Sequence, residues 1–136
     1  MNLATMLGQS LISKDTAMLI NSELYKRGQV TENRVIIITP KEIEGRTASG
    51  IIIPGEVTEG VPRKGICVQM GEFTEENRTY TSVVGIGNVL TYGLYAGKEI
   101  DLLEPLLVKG FNPDKHELRC ISVNEIMYSE YPIKLT

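Results

Sequence analysis

Leu3, Met6, Leu7 and Leu11 recur at the spacing of one helix face, and Ala17, Ile20 and Leu24 repeat that spacing in a second stretch that starts near Ser13 or Asp15 and can stop at Gly28. The pattern predicts a helical N-terminal extension over residues 1–28. Its stripes are too short to stand alone and are expected either to pack on the body or on a neighbouring subunit, or to form a weakly ordered tail. From Val30 the period changes to short β-branched runs punctuated by glycine and proline. Arg34 to Thr39 predicts a strand with apolar residues on both faces, closed by Pro40; Lys64 to Met70 predicts a second, followed by a turn at Gly71. Tyr80 to Val84, Asn88 to Tyr92 and Leu118 to Val123 are further strand candidates. No region between them reads as a long crossover helix, so the body, residues 29–136, is expected to be all-β, a small antiparallel barrel rather than a parallel α/β sheet.

Two stretches interrupt the strands. Glu72 to Thr79 is polar, and its acidic residues lack the spacing of a calcium loop, so a solvated hairpin tip over 71–80 is expected. Residues 102–114 are different: Leu102, Leu103, Leu106, Leu107, Val108 and Phe111 are too apolar for a free linker, while Pro105, Gly110 and Pro113 oppose a long helix. That segment is expected to fold onto the body as a strand or compact loop.

Composition narrows the chemistry. With 136 residues, 42% hydrophobic and 23% charged, one principal core is expected and global disorder is excluded. A net charge of -3 disfavours a general polyanion-binding surface. Cys67 and Cys120 lie in apolar runs and read as reduced, small hydrophobes, which places the protein in a reducing cytoplasm. His116 is the sole histidine, so a His-cluster metal site is excluded. The glycines at 45, 50, 55 and 60 never form a phosphate-binding loop, and Gly85-Ile86-Gly87 fits a turn better than a dinucleotide fingerprint. No apolar run approaches membrane-spanning length, and the start, MNLATMLGQSLISKD, lacks a basic n-region and is expected to stay on the mature protein. Neither an enzyme nor a cofactor protein is indicated.

The informative segment is Lys41 to Arg63. Three isoleucines, Ile51, Ile52 and Ile53, stand between Gly50 and Pro54 among small, charged and turn-forming residues. They suit a short edge strand that completes the core, and equally an exposed apolar peptide for a groove on a partner.

At this point Asn33-Arg34-Val35, Thr47-Ala48-Ser49-Gly50-Ile51-Ile52-Ile53-Pro54, Gly87 to Ile100 (GNVLTYGLYAGKEI) and Leu118 to Tyr128 fall in order along most of the chain. Together they resemble the GroES, or chaperonin-10, co-chaperonin family. Ser49 stands in place of a glycine and Asn88 in place of an aspartate; the interval from Leu102 to Asp114 is longer than usual, and the N-terminal extension is atypical, as in a divergent bacterial or virus-encoded member. The resemblance implies a β-barrel subunit in a homo-heptameric ring that caps a GroEL-type chaperonin and encloses unfolded clients. Residues 41–63 would be the mobile loop, Ile51, Ile52 and Ile53 the chaperonin-binding tripeptide, and 71–80 a roof hairpin. Tyr95 would fall near the cavity side, or pack the barrel edge. Two other classes suit a small β scaffold: an oligonucleotide-binding barrel, disfavoured by two Phe, no Trp and the acidic balance, and an assembly protein that joins identical subunits through the isoleucine loop.

Overall fold

The computed structural model describes residues 12–41, 63–93 and 96–131. Within them the chain opens on helix α1, Lys14–Arg27. The Ser13 hydroxyl accepts from the Thr16 amide at 3.2 Å, Asp15 lies in the first turn, Lys26 and Arg27 lie in the last, and the Gly28 amide donates to the Leu24 carbonyl. Cap and charges thus complement both ends of the helix dipole. Ala17, Ile20 and Leu24 form the buried face, the stripe expected from the sequence. The upstream stripe, Leu3 to Leu11, lies outside the described residues.

Six strands follow: β1 (Arg34–Pro40), β2 (Arg63–Met70), β3 (Val89–Tyr92), β4 (Lys98–Ile100), β5 (His116–Ser122) and β6 (Ile126–Glu130). They build one antiparallel sheet in the order β4-β5-β1-β2-β3-β6. The closed all-β barrel expected from the sequence is corrected here. The sheet is open, β4 and β6 are its two edges, and a helix belongs to its core. The apolar residues on both faces of β1 have a different cause from barrel closure, because each face has its own cover. Ile36, Ile38, Ile66, Val68, Val89 and Leu118 face α1 and Leu106 in one cluster. Val35, Ile37, Cys67, Leu90, Tyr92, Ile121 and Val123 form a second cluster with Val84 on the opposite side. Strand alternation sends successive side chains to opposite faces, so a run of four apolar residues feeds both layers.

Helix α1 is clamped to β2 by polar contacts as well as by burial. The Asn21 amide donates to the Val68 carbonyl at 2.8 Å and the Tyr25 hydroxyl to the Met70 carbonyl at 3.1 Å. The buried Gln69 side chain bonds both ways to the connection after the helix, accepting from the Val30 amide and donating to the Gly28 carbonyl. These bonds satisfy backbone groups that would otherwise be buried without partners.

Between β2 and β3 the expected strand at Tyr80–Val84 is absent; Glu75–Ser82 is a 3-10 helix. The cause is tertiary. Asn33 adopts a left-handed conformation (φ 61°), and its side-chain oxygen accepts from both the amide and the hydroxyl of Thr74, the residue that opens the 3-10 helix. Strand β2 pairs instead with β3, from Arg63↔Tyr92 to Ile66↔Val89. A second 3-10 helix, Val123–Glu125, carries a full capping box between Ser122 and Glu125 and turns the chain from β5 into β6.

Residues 101–115 contain no strand. Leu106 is buried against α1, and Leu102, Val108 and Phe111 pack beside it. The stretch is a compact covering loop, one of the two forms expected. His116 begins β5, stacks on Phe111 with ring centroids 5.8 Å apart, and accepts from the Asn112 amide through Nδ1 at 3.1 Å.

Candidate partner-binding arm and its root

Gly50, Ile51, Ile52, Ile53, Pro54 and Tyr95 lie outside the described residues. The described structure provides the root from which residues 42–62 leave, built by the end of β1 and the start of β2. These are central neighbours in the sheet, paired antiparallel through Ile38↔Ile66. Beyond that pair the Thr39 hydroxyl donates to the Lys64 carbonyl at 3.1 Å. On the other side β1 stays paired with β5 through Pro40↔His116, and the Lys41 amide donates to the Lys115 carbonyl at 2.7 Å. Both ends of the arm are therefore fixed to the middle of the sheet, not to an edge.

The face that carries Val35 and Ile37 turns polar at this end. Counting in twos along each strand brings Thr39, Arg63, Tyr92, Glu117 and Arg119 to the same face and the same end. The Tyr92 hydroxyl, on a fully buried side chain, donates to Thr39 Oγ1 at 3.1 Å. Arg119 Nη2 reaches Glu117 Oε1 at 3.4 Å, and Nη1 donates to the carbonyls of Ala96 and Gly97, each at 3.3 Å. Gly97 has φ 73°, and a Cβ there would collide with the Ile121 side chain and the Cys120 carbonyl, so only glycine lets the turn approach β5 this closely. The Ala96 amide closes that turn on the Gly93 carbonyl at 3.0 Å. Both flanks of Leu94-Tyr95 are thus anchored.

Burial dominates the electrostatics of this belt. It pushes the Glu117 carboxyl above its ordinary range; Arg119 and Arg63 pull it back down, and Glu99 adds to the rise. Burial likewise raises the Tyr92 phenol, against the bond to Thr39 and the two arginines. The Cys67 thiol, deep in the adjoining apolar cluster, is pushed up to about 12 by burial. Both cysteines are free. Such a belt suits a scaffold: its carboxylate and guanidinium bond to each other and to backbone, and none is presented as a nucleophile beside a base. Among the described residues no group of three or more His, Cys, Asp or Glu is placed to hold a metal ion, and no helix is long and apolar enough to cross a membrane.

The sequence reading missed this belt. The signal available was the interruption of apolar strands by Glu117 and Arg119, alternating with Leu118 and Cys120. At the opposite end of β2 an open groove of ≈ 740 Å³ lies between α1 and the sheet, lined by Tyr25, Gln29, Glu32, Met70 and Glu72 among others.

The family model described as the chaperonin 10 kDa subunit matches residues 29–108. Co-chaperonin GroES 1 of Rhodopirellula baltica is 28% identical over 94 residues, covering 68% of this chain and 81% of that relative. Co-chaperonin GroES of Marinobacter nauticus is 30% identical over 93 residues, 67% of this chain and 85% of the relative. Co-chaperonin GroES of Parabacteroides distasonis reaches 40% over a shorter match of 67 residues, 49% of this chain and 71% of the relative.

Proposed function

Since this chain belongs to the chaperonin 10 kDa subunit family of non-catalytic co-chaperonins, we propose that it caps a GroEL-type chaperonin as a homo-heptameric ring and encloses unfolded clients in the joint cavity. In this reading Ile51, Ile52 and Ile53 enter an apolar groove on the chaperonin, Gly50 and Pro54 bound the docking peptide, and Tyr95 faces the cavity. The observation that carries it is the root. Residues 42–62 leave from two adjacent central strands whose last turn is tied by Thr39, Tyr92 and Lys64, so a ring presents every arm from a rigid and identical base. Strand β6 is an edge of the described sheet, and Met127 and Tyr128 within it and Tyr131 just after it are exposed, which supports assembly.

The energetics explain why a ring is needed. Burying three isoleucines yields on the order of 5 to 9 kcal/mol of gross apolar stabilisation, while ordering even six loop residues costs on the order of 6 to 12 kcal/mol. A single arm binds weakly. Several arms on one ring share a high effective concentration, so the cap attaches firmly yet lets go when the partner changes conformation. Mixing the purified protein with a GroEL-type double ring tests this, by co-sedimentation with and without ATP. Nucleotide-dependent co-sedimentation is expected; none under either condition defeats the reading.

A further inference from the structure

The last rungs of the β1–β5 ladder are Thr39↔Glu117 and Pro40↔His116, and just past them the Lys41 amide donates to the Lys115 carbonyl at 2.7 Å. Glu117 thus sits one rung from the end of the ladder, yet it is only 9% exposed. An ionised carboxylate can accept about four hydrogen bonds. Among the described residues Glu117 accepts one, from Arg119 Nη2, and at 3.4 Å it is a long one. Arg119 spends its other groups elsewhere: Nη1 donates to the Ala96 and Gly97 carbonyls, and Nε is buried without a hydrogen-bond partner. A charge so placed is short of both water and donors.

The groups around the carboxylate are of mixed sign. Arg119 on its own strand and Arg63 at the start of β2 attract it, and Glu99 on β4 repels it. The Tyr92 phenol lies near it on β3, and β1 contributes the uncharged Thr39. His116, the next titratable group along β5, is directed to the other face of the sheet, where it stacks on Phe111. Burial outweighs the two arginines, so the fold favours the neutral carboxyl more than water does. Fraying the last two rungs admits water to this side chain. The ionised form gains more from that hydration than the protonated form, so charge on Glu117 favours the frayed end and protonation favours the closed one. An ion-pair lock would have the opposite sign.

We propose that Glu117 is a charge-operated latch at the end of the β1–β5 ladder: ionised, it keeps the last two rungs poised to open, and protonated, it shuts them. What the latch does for docking rests on the reading of residues 42–62 as a partner-binding arm, because β1 leads into that segment. The latch itself needs no chaperonin, so its test and the co-sedimentation test can fail separately.

Amide exchange of the native full chain between about pH 4.5 and pH 8 tests the latch, with each rate divided by the intrinsic rate at the same pH. The reporter is the Lys41 amide. The reference is the amide of fully buried Cys67, which donates to the Asn88 carbonyl at 3.0 Å. Protection of Lys41 relative to Cys67 should fall at least about threefold as pH rises across this range, and Glu117→Gln should keep the low-pH value throughout. Carbon-13 NMR titration of the wild-type Glu117 carboxyl should share its midpoint with the loss of protection, a check that does not depend on the variant folding. Flat protection in the wild type overturns the proposal, and so do separate midpoints. A Glu117→Gln variant that retains the pH dependence assigns it to another group, such as His116, and one less protected than wild type at pH 8 makes the Arg119 contact a lock held by charge; either outcome overturns the proposal.

Discussion

Glu117 is held in the fold mainly in spite of its charge. Burial raises its carboxyl pKa above the ordinary 4.5, and the nearby arginines only partly offset that. A raised folded-state pKa means that this group's contribution to stability is fully present below about 4.5 and declines as pH rises through the higher folded value. Glu117→Gln should therefore melt above wild type at pH 7 and coincide with it below pH 4.5; thermal scans across pH 4 to 8 check the sign. A lower melting point at pH 7 would make the Arg119 contact dominant and reverse this account. The neighbouring hydroxyl pair behaves asymmetrically. Tyr92→Phe removes one buried hydrogen bond and should cost about 1 kcal/mol in urea unfolding, because Thr39 still donates to the Lys64 carbonyl. Thr39→Val strands both the Tyr92 hydroxyl and that carbonyl and should cost more, about 2 to 4 kcal/mol. Cys67, with its thiol pushed up to about 12, stays protonated at neutral pH. Thiol titration of the native protein at pH 8 should count Cys120 at most, with Cys67 reacting only after unfolding.

Among the elements, α1 is the one whose loss changes the sheet most. Ile20 is fully buried against Ile36, Ile38 and Val68, and Ile20→Ala should cost about 2 to 5 kcal/mol. Half-exposed Met18 on the same helix should tolerate alanine within about 0.5 kcal/mol; equal effects of the two in denaturant unfolding would mean that the helix does not cover the sheet. This helix was legible in the sequence because every local signal agreed: a Ser13 cap, a 3.6-residue stripe and Gly28 at its end. Strands β1, β2, β3 and β5 were legible from their β-branched runs. Closure was not. An apolar run on both faces says that both are covered, and leaves open whether the cover is the same sheet curling round or a helix laid on it. Tyr80–Val84 has strand-like residues, yet a remote Asn33 side chain recruits Thr74 and starts a 3-10 helix, a contact that no local window contains. The 3-10 turn before β6 did have a readable sign, the Ser-x-x-Glu of Ser122 and Glu125. In the site, the three isoleucines between glycine and proline lie outside the described residues, whereas the belt at the root was not legible because it assembles from residues as distant as Thr39 and Arg119, brought together only by strand register.

At the scale of the whole molecule, root and arm make separable demands, and the proposed cap can be tested by breaking one without the other. The described residues on either side of 42–62 form a sheet with two apolar clusters and the edge strand β6. A charge placed in the arm should therefore leave the fold and the proposed ring intact. Ile52→Asp puts a carboxylate where docking would have to desolvate it in an apolar groove, at a cost of several kcal/mol per arm. Because every arm of a symmetric ring carries the change, the loss multiplies across the contacts that multivalency adds together. Circular dichroism and native mass spectrometry of Ile52→Asp should match wild type, with a heptamer in both, while ATP-dependent co-sedimentation with a GroEL-type chaperonin falls to background. Wild-type capping by the variant would remove Ile52 from the contact. Loss of the folded sheet would instead make the isoleucine run a core strand. A folded variant that no longer forms rings would assign the arm to joining identical subunits, with the chaperonin contact lying elsewhere on the cap.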